Sequence, residues 1–147
     1  FIVVFPNNDH GSEISINEYE RLRELSQCRV FPSIRFEHFL TILKNAQFIL
    51  GNSSAGVREA PYYGVTTINV GNRQNNRAQE ASIINVRDNA AEILLAIEKS
   101  KINHVGISKS FGIGDSDIQF LKHLSSDECW ATSVQKVFQD RIDRLSF

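Results

Sequence analysis

The sequence predicts an α/β fold, a doubly wound parallel sheet of the Rossmann-like kind, and three observations carry that prediction. Short apolar, β-prone runs recur at Phe1–Phe5, Phe48–Leu50, Thr67–Val70 and Ile83–Val86. Segments of helical period separate most of them, which implies βαβ units and parallel pairing. The connections between these elements are mostly short, and right-handed crossovers then place helices on both faces of the sheet.

Taken in order, Phe1-Ile2-Val3-Val4-Phe5 reads as a strand covered on both faces. It runs into the turn-rich stretch Pro6-Asn7-Asn8-Asp9-His10-Gly11. Tyr19, Leu22 and Leu25 fall at helical spacing within Glu18–Ser26, and Arg29-Val30-Phe31 is a short strand stopped by Pro32. Phe36, Phe39, Leu40 and Leu43 occupy i, i+3, i+4 and i+7, the apolar stripe of an amphipathic helix. Phe48-Ile49-Leu50-Gly51 is the next buried strand, and Asn52-Ser53-Ser54-Ala55-Gly56 opens a helix that must end or kink near Pro61 and Gly64. Thr67–Val70 is the third strand of the series, Gly71–Glu80 a polar loop, and Ile83–Val86 the fourth strand. Ala90, Ile93, Leu94 and Ile97 mark another helix.

Past Lys101 the texture changes. His104–Asp115 is punctuated by glycines, and Ser116-Asp117-Ile118-Gln119 and Ser125-Ser126-Asp127-Glu128 both have the capping-box form. Val134, Val137, Phe138, Ile142 and Leu145 predict a last helix.

Composition narrows the function classes. The 147 residues carry 16 Lys+Arg and 17 Asp+Glu, a net charge of −1, with 41% apolar and 22% charged residues. A charge so near zero gives no field for steering toward nucleic acid or an anionic membrane. No apolar run approaches the roughly 20 residues of a membrane span, so neither nucleic acid nor membrane is expected as a partner. Cys28 and Cys129 are too few and too far apart for a disulfide framework or a zinc site, which makes a reducing, cytoplasmic setting the default. Methionine is absent and the first residues lie inside an apolar strand; the expectation is one domain of a larger protein.

In doubly wound sheets ligands bind beyond the carboxyl ends of the strands. That rule selects the loops Pro6–Gly11, Asn52–Gly56 and Gly71–Arg77. Gly51-Asn52-Ser53-Ser54-Ala55-Gly56 is a strand-to-helix turn of small residues whose backbone amides make a seat for an anion, with Ser53 and Ser54 adding hydroxyl donors. Equally, one of the serines simply caps the helix. It matches neither a Walker loop nor GxGxxG, so neither ATP nor NAD follows. Glu59, five or six positions on, could accept both hydroxyls of a ribose, or be a solvated surface acid. Arg73 can fork onto phosphate oxygens over the same crevice. Arg77 is a weaker candidate that could pair with Glu80 instead. None of His10, His38, His104 and His123 has a metal-ligand spacing, and only His10 lies in a selected loop. Ser53 lacks a nucleophile elbow, which argues against a hydrolase triad. Phe36 and Phe39 read first as core, with Phe36, at the loop–helix boundary, the better candidate for facing a ligand.

The run Gly51-Asn52-Ser53-Ser54-Ala55-Gly56-Val57-Arg58-Glu59-Ala60-Pro61, then Gly64 and Ile68-Asn69-Val70-Gly71-Asn72-Arg73-Gln74, closely resembles the hydrolysing UDP-N-acetylglucosamine 2-epimerases of sialic acid biosynthesis. Phe5–Ser12 is similar to that family's loop at the start of its second half. Phe111-Gly112-Ile113-Gly114-Asp115-Ser116 is similar to its late glycine loop, with Ile113 where the usual form has an acid. The resemblance implies a GT-B architecture, with residues 1–147 as the UDP-holding C-terminal domain and 125–147 as a helix packing back toward the N-terminal one. It implies that Ser53 and Ser54 hold the diphosphate and Glu59 the ribose. Arg73 would lie against the nucleotide, Asn7 would line the cleft, and Ser33 and Ile34 would meet the uracil edge with Phe36 nearby. UDP or UDP-GlcNAc is the implied ligand, with no cofactor, no metal and a homo-oligomeric full-length protein.

The implied reaction is anti elimination of UDP and hydration of the resulting glycal to N-acetylmannosamine. The family's catalytic carboxylates lie in the N-terminal domain, so no catalytic residue is expected among these 147 and the chain alone should be inactive. Alternatives are the non-hydrolysing epimerase, a UDP-diacetamido-trideoxyglucose 2-epimerase, a GT-B glycosyltransferase, and a non-catalytic flavodoxin-like or response-regulator-like module. The Asn-Ser-Ser start favours the hydrolysing branch over the Asp-Ser-Gly-Gly form usual in the non-hydrolysing one.

Overall fold

The structure is a computed structural model describing residues 1–7, 11–102 and 105–135. Two compact units divide the chain, Phe1–Phe111 and a second that begins at Gly112. The α/β class with parallel strands stands as expected. The ladder, however, falls into two sheets. β1 (Ile2–Val4) pairs in parallel with β2 (Arg29–Phe31), Ile2 opposite Arg29 and Val4 opposite Phe31. β3 (Phe48–Gly51), β4 (Thr66–Val70) and β5 (Ile83–Val86) form the second sheet in that order, all parallel.

Burial follows position in the sheet rather than apolar content. Thr66, Thr67, Ile68 and Asn69 of central β4 are all buried. On the edges, Leu50 is 45% exposed and Ile2 49%, so the expected covering of the first two apolar runs is not what these residues have. A continuous apolar run reports that a strand can be covered; the covering itself must come from neighbouring layers, and among the described residues only β4 has a strand on each side.

Helices α1 (Ser12–Arg21), α2 (Phe36–Lys44), α3 (Ser54–Arg58) and α4 (Ala90–Ile102) complete the first unit. α1 starts six residues before the predicted Glu18 and gives way to a 3-10 turn at Leu22–Glu24. The spacing of Tyr19, Leu22 and Leu25 marked only its end, because the first turns carry few apolar side chains. α2 buries Leu43 against Ala60 and Val65, with Phe39 and Ile49 packed alongside. Phe39 is thus a core residue, and Phe36 is 58% exposed. After α3, Pro61 opens the 3-10 turn Pro61–Tyr63, which ends the helix where expected. α4 is started by Asn89, whose Oδ1 accepts from the Glu92 N–H at 3.2 Å, and it packs against β4 and β5.

In the second unit, α5 (Ser116–Leu124) and α6 (Asp127–Ala131) follow the glycine loop. Neither capping box forms as its spelling suggests. Asp115, not Ser116, holds the cap position of α5, its carbonyl accepting from the Gln119 N–H at 3.0 Å and its carboxylate from Gln119 Nε2 at 2.8 Å. Ser126, not Ser125, caps α6 by accepting from the Cys129 N–H at 3.4 Å. Of the predicted last helical stripe only Val134 is described; it is 98% exposed and outside any helix. Val137, Phe138, Ile142 and Leu145 lie outside the described residues, as does most of 125–147. No helix among the described residues is long and apolar enough to cross a membrane.

Candidate functional site

Because β3, β4 and β5 are parallel and paired with Gly51 opposite Asn69 and Asn69 opposite Asn85, the segments that follow them leave from one edge of the sheet. The turn after β3 is held from two directions there. At its far end Gly56 lies directly on β4: a Cβ at this position would stand 2.6 Å from Thr67 Cγ2 and 3.7 Å from Ile49 Cγ2. Thr67 Oγ1 donates to the Gly56 carbonyl in the same contact. Only glycine lets the helix start sit this close to the sheet. At its near end the Asn52 carbonyl accepts from Gln74 Nε2 at 2.7 Å, a bond between residues 22 apart in sequence. Gly51 takes φ +143°, a left-handed-side value, as the chain leaves the strand.

Between these anchors, Ser53 Oγ accepts from the Ala55 N–H at 3.3 Å. The capping role of Ser53 is therefore realised; its hydroxyl proton stays available to a second partner. Ser54 begins the helix and is half-buried. Glu59 follows the last helical residue, its N–H bonded to the Ala55 carbonyl at 3.1 Å. It is half-buried, and among the described residues its carboxylate has neither a hydrogen bond nor an ion pair.

The Gly71–Glu80 loop is shaped by two successive turns, Asn75 N–H to the Asn72 carbonyl at 3.1 Å and Arg77 N–H to the Gln74 carbonyl at 3.3 Å, with Asn76 at φ +62°. Asparagine tolerates that conformation better than other side chains. Arg73 is exposed beside buried Gln74. Arg77 and Glu80 form no ion pair among the described residues. Under the loop, a cavity of about 300 Å³ is lined chiefly by Asn69, Gln74, Asn75, Asn76, Gln79 and Asn85. Asn69 Nδ2 donates to Asn85 Oδ1 at 2.8 Å. The lining is uncharged and mostly amide, with Val57, Ala78 and Ile83 as its apolar part.

The structure thus gathers Ser53, Ser54 and Glu59 on one short helical segment and brings the Arg73–Gln74 loop against it. The remaining predicted residues belong to the other sheet. Asn7 follows β1 and Ser33 follows β2; both are exposed, and parallel pairing of those strands puts them at one sheet end. Ile34 is half-buried, and Phe36 opens α2. Hydrogen-bonded strand pairing does not join this group to the serine turn. His10 lies outside the described residues; His38 and His123 are exposed, as their helical positions suggested. No group of three His, Cys, Asp or Glu is placed to hold a metal among the described residues.

Sequence reasoning passed over Gln74, Asn69 and Asn85. A signal existed for the asparagines: a residue disfavoured in strands, standing inside two short apolar runs, asks for a polar partner.

The family described as UDP-N-acetylglucosamine 2-epimerase matches residues 1–125. A UDP-N-acetylglucosamine 2-epimerase of Neisseria meningitidis serogroup B is 41% identical over 143 residues, which is 95% of this chain and 38% of the relative. The polysialic acid biosynthesis protein P7 of Escherichia coli is 38% identical over 86 residues, 58% of this chain and 22% of the relative. The solved structure of Methanocaldococcus jannaschii UDP-GlcNAc 2-epimerase, in complex with UDP-GlcNAc and UDP, superposes with a TM-score of 0.69 at 21% identity, covering 84% of this chain and 34% of that one. The chain therefore spans well under half the length of the proteins it matches. A sequence match over residues 1–125, a parallel α/β fold shared with a solved epimerase, and a serine turn locked at the strand ends lead to one assignment: the chain belongs to the UDP-N-acetylglucosamine 2-epimerase family.

Proposed function

We propose that this chain is the C-terminal, nucleotide-holding part of a hydrolysing UDP-N-acetylglucosamine 2-epimerase with a GT-B architecture, working in the cytoplasm as a homo-oligomer. One observation supports it above the rest: the turn 51–56 is fixed at both ends and followed by a half-buried carboxylate, Glu59, that has no protein partner among the described residues. A half-buried carboxylate without a protein partner is open to accept from a ligand's hydroxyl groups. In this function Ser53 and Ser54 hold the diphosphate, Glu59 the ribose hydroxyls, and Arg73 lies against the nucleotide. Asn7 lines the cleft, while Ser33, Ile34 and Phe36 frame the uracil.

The reaction removes the sugar C2 proton with a base as the C1–O bond to UDP breaks, giving a 2-acetamidoglycal and UDP. Water then adds across the double bond, its oxygen to C1 and a proton to C2, releasing N-acetylmannosamine. The residues named here act on the leaving group, where negative charge accumulates. The base and acid come from the rest of the full-length protein, so the 147 residues alone bind UDP weakly and do not turn over UDP-GlcNAc. The Asn52-Ser53-Ser54 start supports the hydrolysing branch, and the polysialic acid biosynthesis relative supports a place in sialic acid formation.

Titrating the chain with UDP should move the amide NMR signals of Ser53, Ser54, Glu59 and Arg73. No movement at ligand on the order of millimolar overturns the site. Incubating the full-length protein with UDP-GlcNAc and no acceptor should release free N-acetylmannosamine and UDP. UDP-linked N-acetylmannosamine instead marks the non-hydrolysing branch, and intact substrate marks a transferase.

A further inference from the structure

Gln74 lies in an exposed polar loop, between exposed Arg73 and exposed Asn75, yet is only 4% exposed itself. Its Nε2 donates to the Asn52 carbonyl at 2.7 Å. A carbonyl only accepts, so the amide must turn its NH₂ group to Asn52 and its oxygen away. That Oε1 is buried and has no hydrogen-bond partner among the described residues. An unpartnered buried oxygen works against folding, and an apolar side chain of the same shape would avoid it. Nor does the Asn52 carbonyl need Gln74, since Asn52 is exposed and water can serve it. The arrangement is costly for stability and redundant for polar satisfaction.

Its effect is positional. The Asn52 carbonyl and the Ser53 N–H belong to one planar peptide and point in opposite directions. Holding the carbonyl against the 71–80 loop therefore fixes the direction of the Ser53 amide, and it sets the separation between the serine turn and the residue beside Gln74, Arg73. We propose that Gln74 is a positioning residue for the diphosphate: it orients the Asn52–Ser53 peptide and couples the Arg73 loop to the serine turn, so that both meet the two phosphates together. This rests on the nucleotide-binding function proposed above.

The test compares the chain with its uncharged Gln74→Met and Gln74→Leu variants, using UDP and uridine as calorimetric probes and a thermal melt as the measure of stability. Gln74→Met removes both the donor and the orphaned oxygen. It should melt at or above the parent temperature while binding UDP about tenfold more weakly, with uridine affinity unchanged because uridine carries no phosphate. Gln74→Leu, which also lacks a donor and adds no charge beside the diphosphate, should lose UDP affinity in the same way. Independently of any variant, exchange of the Gln74 side-chain amide protons in the parent chain should slow with UDP and not with uridine. A parent that binds UDP while the variants bind it equally well, or lose UDP and uridine alike, overturns the positioning role only. A parent that fails to bind UDP overturns the nucleotide site together with it.

Discussion

The two sheets of the first unit are enclosed to different degrees, and not in the order of their apolar content. β1 and β2 carry apolar side chains that stay substantially exposed, Ile2 at 49% and Phe31 at 40%, and Phe1 just before β1 is 75% exposed. β4 carries two threonines and an asparagine and is the most thoroughly buried strand. Hydropathy alone would rank them the other way. β4 has hydrogen-bonded strands on both sides and helices packed on it, so its polar groups are enclosed and must be satisfied internally, by Thr67 to Gly56 and Asn69 to Asn85. Among the described residues β1 has one strand neighbour, β2. The interior polar bonds of the β3–β4–β5 sheet are the ones that shape the candidate site; the β1–β2 sheet contributes loop ends.

The sharpest break in this contrast comes from truncating one isoleucine in each sheet. Ile68→Ala, at a position with 0% exposure, should cost about 2–5 kcal/mol in denaturant unfolding. Ile2→Ala, half-exposed, should cost about 1 kcal/mol or less. Equal costs would show that β1 is enclosed to the same degree as β4. Next in size, Gly56→Ala forces a Cβ to 2.6 Å from a threonine methyl whose hydroxyl is already engaged. The better helix propensity of alanine offsets this only in part, leaving a net loss of about 1–3 kcal/mol and a weaker response to UDP as the turn is pushed off the sheet. A variant as stable as the parent would mean that β4 yields under the turn.

The smallest effect belongs to the Arg87–Glu92 pair after β5, where the contrast between enclosed and exposed polar contacts can be read as a pH dependence. Glu92 accepts from Arg87 Nε at 2.7 Å and from the Arg87 N–H at 3.0 Å. The side-chain hydrogen bond first, and the backbone one second, hold its carboxyl below the ordinary carboxylate value. A folded-state value lowered in this way contributes stability that is complete above the unfolded value and disappears as pH falls through the folded one. Glu92→Gln should therefore melt slightly below the parent at neutral pH, with the difference closing in acid. A difference that stays constant with pH would remove the ion pair as its cause.

Much of this was legible in the residues. Alternation of strand and helix, the stop at Pro32, the break at Pro61 and the polar loop at 71–80 all rest on local chemistry, which the chain carries with it. The long Gly51–Pro61 and Ile68–Gln74 runs were specific enough to point to the family before any fold was drawn. Less legible were the points where two local rules compete. Ser53 could cap or bind, and the cap is visible only once Ala55 N–H is placed. Asp115 and Ser126 took cap positions that the box spelling had offered to their neighbours, because a cap depends on which residue leaves the helical backbone conformation and not on spelling. Gln74 stood in the quoted motif without a role, since a bond to a carbonyl 22 residues away leaves no trace in composition or period.

From its sequence alone this protein was determined to be a parallel α/β chain of the UDP-N-acetylglucosamine 2-epimerase family, because secondary-structure period, turn chemistry and motif are written in consecutive residues. Tertiary structure alone decided which strand is enclosed, that Gly56 must lie against Thr67, and that Gln74 ties the Arg73 loop to the serine turn. Burial and long-range hydrogen bonds are properties of what surrounds a residue, and the surroundings exist only once the chain has folded.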